Sequence, residues 1–127
     1  MSTPPGLLMV NAFIGTANYK KLYQELGYAV VTEWSERKAI SLVRKTPPAV
    51  IVADFYHQTD FRDRLSNLES LLATAQSHPD TRILVFYEAA HQAALDKVRG
   101  RLRIDAALTL PVEENLLRAT LKSWLPA

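Results

Sequence analysis

The feature that most constrains this chain is a set of short segments apolar at every position, separated by stretches of helical periodicity. Leu7 to Val10, Ala49 to Ala53 and Ile83 to Phe86 are unbroken apolar runs of strand length. A half-exposed strand alternates apolar and polar side chains. A run without a polar break belongs to a strand covered on both faces, the condition of a parallel sheet between helix layers. Tyr28 to Val31 and Ile104 to Leu110 supply two further strands, and Pro111 follows the last.

The intervening stretches carry helix signals. Thr16 is a candidate N-cap for a helix whose stripe is Tyr19, Leu22, Tyr23 and Leu26, and Gly27 ends it as a left-handed cap residue. Ser35 caps a second helix carrying Ala39, Ile40 and Val43, stopped by Thr46-Pro47-Pro48. Two starts compete for the third. Ser66 with Glu69 makes a capping box, whereas Asp60 would begin a longer helix with Phe61, Leu65, Leu68 and Leu72 in one stripe. His78-Pro79-Asp80 is a turn, Ala90 to Val98 a helix ended by Gly100, and Leu117, Leu121 and Trp124 mark the last helix. Strand followed by helix, repeated five times, implies a parallel sheet with helices on both faces and right-handed crossovers. The functional crevice of such sheets lies at the carboxyl ends of the strands, where Asn11, Asp54, Tyr87 and Leu110 fall.

With 127 residues, 48% hydrophobic and 22% charged, the chain suits a single globular domain over 1–127. It has no cysteine, which excludes disulfides, thiolate metal sites and a thiol nucleophile. Met1 to Gly6 lacks the pattern of a signal peptide, and no apolar run is long enough for a membrane span, so a cytoplasmic protein without membrane contact is expected. The net charge of +2 does not ask for nucleic acid, and Arg99, Arg101 and Arg103 suit a solvated face. His57, His78 and His91 are scattered and form no metal-ligand spacing. The Gly15-Thr16-Ala17-Asn18 turn opens a helix where an anion can bind, but it has no glycine-rich phosphate fingerprint, and a plain cap explains it. The Phe55-Tyr56 pair, opening a polar and aromatic segment that runs to Arg64, suits cover for the sheet edge or a partner contact.

Five strand–helix units with an aspartate closing the third strand and a proline after the fifth make the chain resemble the response-regulator receiver domains of two-component signalling, over nearly its whole length. The resemblance implies a doubly wound, flavodoxin-like α/β fold with a five-stranded parallel sheet in the order 2-1-3-4-5. It also implies a site that this chain matches in one position. A working receiver places two acids after the first strand to hold Mg²⁺; here they are Asn11 and Ala12. The phosphoacceptor aspartate is kept as Asp54. The hydroxyl after the fourth strand is Tyr87, the lysine after the fifth is Leu110, and the aromatic switch of the fifth strand is Ala107. Mg²⁺ takes near-octahedral oxygen coordination and usually one or two carboxylates, and phosphoryl transfer depends on positioning and charge neutralisation.

The substitutions therefore predict a degenerate pseudo-receiver: no enzyme, no cofactor, weak or absent Mg²⁺ binding, and an Asp54 that caps a loop or accepts backbone N–H bonds. Tyr87 is expected to pack over the crevice where phosphate would sit. The chain's length leaves no room for an output domain, so output is expected through a protein partner or homodimerisation. The resemblance assigns that role to the fourth helix, fifth strand and fifth helix, with Arg99, Arg103, Arg118 and Trp124 as candidate contacts. Two alternatives stand beside this: a live receiver phosphorylated at Asp54, and a flavodoxin-like binder of a small anion at Thr16.

Overall fold

The computed structural model describes residues 4–10, 19–55 and 69–125. Five strands alternate with five helices: β1 (Gly6–Val10), α1 (Lys20–Glu25), β2 (Ala29–Glu33), α2 (Glu36–Lys45), β3 (Val50–Asp54), α3 (Glu69–Ala75), β4 (Arg82–Tyr87), α4 (Gln92–Arg99), β5 (Ala106–Thr109) and α5 (Glu114–Ser123). A 3-10 turn, Ala89–His91, leads into α4. All strand pairs are parallel and the order is β2-β1-β3-β4-β5, as the resemblance implied.

The local signals act as their chemistry requires. Gly27, at φ 107°, closes α1; its N–H donates to the Gln24 carbonyl and that of Tyr28 to the Tyr23 carbonyl. This paired bonding needs a left-handed residue between, which glycine adopts without steric penalty. The Ser35 hydroxyl oxygen accepts from the Lys38 N–H at 3.3 Å, satisfying one open donor of α2. At α5 the carboxylate of Glu113 accepts from the N–H groups of Asn115 and Leu116. Two strands differ in extent from the sequence reading: the second runs on to Glu33, and the fifth is confined to Ala106–Thr109. Burial of Tyr28 and Ile104 beyond the ladder explains why both carry strand-like apolar character. The candidate starts of the third helix, and Asn11, Ala12, Thr16, Tyr56 and His57, lie outside the described residues.

The sheet divides the core in two. Leu8, Val10, Ile51, Ala53, Ile83 and Val85 pack under α2, α3 and α4. Leu7, Met9, Val50, Val52, Leu84 and Phe86 pack under α1 and α5. β3 is buried along its length, which is why its sequence has no alternation. α5 is tied to the approach to β2 by the Tyr28 hydroxyl, which donates to the Leu121 carbonyl at 2.6 Å. Among the described residues no helix is long and apolar enough to cross a membrane.

Candidate functional site: the carboxyl edge of the sheet

Asp54 ends the central strand β3 and is buried, at 6% exposure. Its register partner is Phe86, and the next N–H, of Phe55, donates to the Phe86 carbonyl at 2.7 Å. Alternation along β3 puts Asp54 on the side of Val50 and Val52, the face covered by α1 and α5. Two tyrosines at the start of α1 pack on the same face. Tyr19 meets Phe86 edge-on, with ring centroids 6.3 Å apart. Tyr23 is fully buried, and its hydroxyl has no hydrogen-bond partner among the described residues. Burial raises the Tyr23 phenol well above the usual tyrosine range, and the negative charge of Asp54 and then Tyr19 push it the same way. The carboxylate thus lies close enough to Tyr23 for its charge to act on the phenol.

Tyr87 ends β4, as its place after the apolar run implied. Position 87 alternates with Ile83 and Val85, so the ring belongs to the cluster under α2, α3 and α4. Its hydroxyl donates to Oε1 of Gln92 at 2.6 Å, and Nε2 of Gln92 donates to Asp96 at 2.9 Å. A side chain on this face turns away from Asp54 because the two residues occupy opposite parities in register. Ala107, opposite Val85, packs against the same cluster as Tyr87. The large residue on β4 and the small one on β5 thus share one layer. Leu110 packs on the α1–α5 side, donates its N–H to the Tyr87 carbonyl at 2.8 Å, and is joined to Pro111 by a cis peptide bond.

The arginines expected at a rim are engaged with the chain itself. Arg103 donates to Asp105, to the Thr81 carbonyl at 3.0 Å and to the His78 carbonyl at 3.5 Å. Its side chain is one-third exposed (32%), and Asp105 also accepts from the Ile83 N–H at 2.7 Å. Arg103 therefore ties β5 to the start of β4 and is no free rim charge. Arg101 pairs with Glu69, and Arg99 donates to the Ile104 carbonyl at 3.3 Å. Arg118 is paired across one helical turn with Glu114 at 3.6 Å. Trp124 caps α5 and packs half-buried on the α1–α5 cluster. Phe55 is buried in the other cluster, and His78 and His91 are half-buried. Among the described residues, no three His, Cys, Asp or Glu side chains converge as a metal site would.

The sequence reading missed Tyr23 as a residue that feels the charge of Asp54. It took Tyr23 as a core residue of a helix stripe, which it is. The available signal was that it carries a polar hydroxyl into that stripe, where leucine would serve packing alone.

No family model matches the chain, and no curated protein matches it. Solved structures do. The signal receiver domain of an HD domain-containing protein from Pseudomonas fluorescens Pf-5 superposes with a TM-score of 0.75 at 16% identity, covering 98% of this chain and 89% of that one. The chain has a receiver fold. The signal receiver domain of a putative LuxO repressor protein from Vibrio parahaemolyticus gives 0.69 at 17% identity, with 95% and 89% covered. A BeF3-activated DrrB receiver domain gives 0.67 at 17% identity, with 95% and 97% covered. In this fold Asp54 stands at the end of the central strand, and the apolar Leu110 follows β5.

Proposed function

We propose that this receiver-fold chain is a signalling or adaptor module that acts through protein contacts and without phosphoryl transfer at Asp54. The observation that carries this reading is the character of the edge at Asp54: a buried carboxylate close to the buried phenol of Tyr23, with the apolar Leu110 following β5. Phosphoryl transfer needs its developing negative charge neutralised, and Leu110 brings no charge to this edge. Among the described residues no three acidic or histidine side chains converge, and Mg²⁺ takes a larger oxygen set than one carboxylate. The module is accordingly proposed as non-enzymatic, cofactor-free and cytoplasmic.

The proposed output face is α4, β5 and α5, as homodimer contact or adaptor surface. On it Leu116 is half-exposed, Arg118 pairs with Glu114, and Trp124 is partly exposed. The test of the phosphorylation-independent reading is intact-mass analysis after incubation with acetyl phosphate and Mg²⁺. No adduct is expected, and Asp54→Asn should leave output in the native host near wild type. A phosphoryl adduct mapped to Asp54 would replace this reading with that of a live receiver.

A further inference from the structure

A second surface, separate from the α4–β5–α5 face, has the features of a peptide site. β2 is an edge strand: among the described residues it pairs with β1 alone. Its register fixes which backbone groups face outward. The Ala29 N–H donates to the Pro5 carbonyl at 2.9 Å. Alternate residues of a parallel strand use both backbone groups on the same neighbour, so Ala29, Val31 and Glu33 bond inward to β1. The N–H and C=O groups of Val30 and Thr32 then point away from the sheet, ready to pair with another strand.

The side chains and charges around this edge are those of a binding groove. Val31 is 52% exposed, although β2 carries no lysine or proline to blunt the edge. Beside it, under the end of α2, lies a cavity of about 380 Å³ lined by Pro4, Leu8, Val31, Leu42, Pro47 and Pro48. Trp34, just past the strand, is 58% exposed. α2 exposes Arg37, Lys38, Arg44 and Lys45, and α1, on the other side of the sheet, exposes Lys20 and Lys21. Residues 19–48 hold six lysines and arginines against three acids, whereas the rest of the chain holds nine against ten. The chain's excess of positive charge thus falls in the segment that contains this edge, and Lys38 and Lys45 flank Leu42 of the cavity by one helical turn, while Arg44 faces α3 and His78.

We propose that the β2 edge binds an extended acidic segment of a partner protein, which adds a strand against Val30 and Thr32 and seats an apolar side chain in the cavity beside Val31. Main-chain pairing supplies affinity and the cavity supplies specificity, as in other strand-addition sites. The charge selects the occupant. A second copy docking edge to edge would bring two cationic helices together, whereas an acidic strand neutralises them. The open backbone row favours a strand over a lipid surface or nucleic acid, neither of which uses it.

The test is amide NMR on the full ¹⁵N-labelled chain with a short peptide alternating glutamate and valine. Expected are shifts and slowed hydrogen exchange at Val30 and Thr32, with binding at least tenfold weaker for the lysine–valine counterpart. Lys38→Glu with Lys45→Glu, at exposed positions one turn either side of Leu42, should weaken binding about tenfold. Thr32→Pro, which removes an outward N–H, should abolish it, with circular dichroism as the fold control. The proposal is overturned if the acidic peptide does not bind, if shifts spare Val30 and Thr32, or if the lysine peptide binds equally. Binding of anionic phosphatidylglycerol vesicles or a thymidine oligonucleotide, without the acidic peptide, would also overturn it.

Discussion

Two buried tyrosines on the same face of the sheet make opposite contributions. Tyr28 places its hydroxyl on the Leu121 carbonyl, whereas the hydroxyl of Tyr23 is buried without a hydrogen-bond partner among the described residues. An unsatisfied buried hydroxyl costs free energy, and a satisfied one contributes roughly 1 kcal/mol. Tyr28→Phe should therefore lower stability by about 1 kcal/mol, and Tyr23→Phe should leave it unchanged or raise it, as measured by urea titration. Both phenols also couple stability to pH. Burial pushes Tyr28 from 10.0 up to about 12, and Tyr23 rises further for the reasons given above. The folded chain keeps protons that the unfolded chain releases above pH 10, so this contribution is complete below pH 10 and declines as pH climbs toward 12. Urea midpoints between those pH values should fall for the wild type and fall less steeply in each phenylalanine variant.

At the scale of elements, the basic run from Arg99 to Arg103 divides by what each arginine holds. Arg103 joins the approach to β5 to the turn before β4, through Asp105 and the carbonyls of Thr81 and His78. Gln76, just past α3, adds to the same joint, accepting from the Arg103 N–H at 3.1 Å and donating to its carbonyl at 3.3 Å. Arg103→Glu would set two carboxylates together and strip donors from two carbonyls, at about 2 kcal/mol. Arg118→Glu disturbs only a pair on the helix surface and should stay within about 0.5 kcal/mol. Thermal unfolding of the two variants checks the contrast; equal stability would mean the Arg103 joint carries no weight. A partner-binding test on this face is therefore better made at α5 than at Arg103.

For the whole molecule, the partner surfaces proposed above lie on two parts of the described fold, the α4–β5–α5 face and the β2 edge. The two differ in character: Leu116 stands half-exposed on α5, while the β2 edge is cationic with an open backbone row. If α5 carries self-association, Leu116→Glu should lower the dimer constant by about tenfold or more in sedimentation equilibrium, because a charge replaces an apolar contact at an interface. Circular dichroism should not change, since the residue is half-exposed. An unaltered association constant would remove α5 from the interface.

Much of the fold was legible in the amino-acid order because the signals are local. Unbroken apolar runs require strands covered on both faces, Gly27 supplies a left-handed helix end, Ser35 supplies an acceptor for open helix donors, and Asp54 marks the end of the central strand. The candidate site was legible only as a set of positions. Whether Tyr87 covers Asp54 depends on the parity of each strand and on its register with the next, and the register of β3 with β4 sends the two side chains to opposite faces. Tyr23, whose phenol feels the charge of Asp54, comes from a helix more than thirty residues earlier in the chain, brought there by the crossover. Arg103 looked like surface charge because nothing in its own segment shows that the Thr81 and His78 carbonyls would meet it. Spacing along the chain sets what each residue can do locally; strand pairing sets which residues share a face, and only the packed sheet decides that.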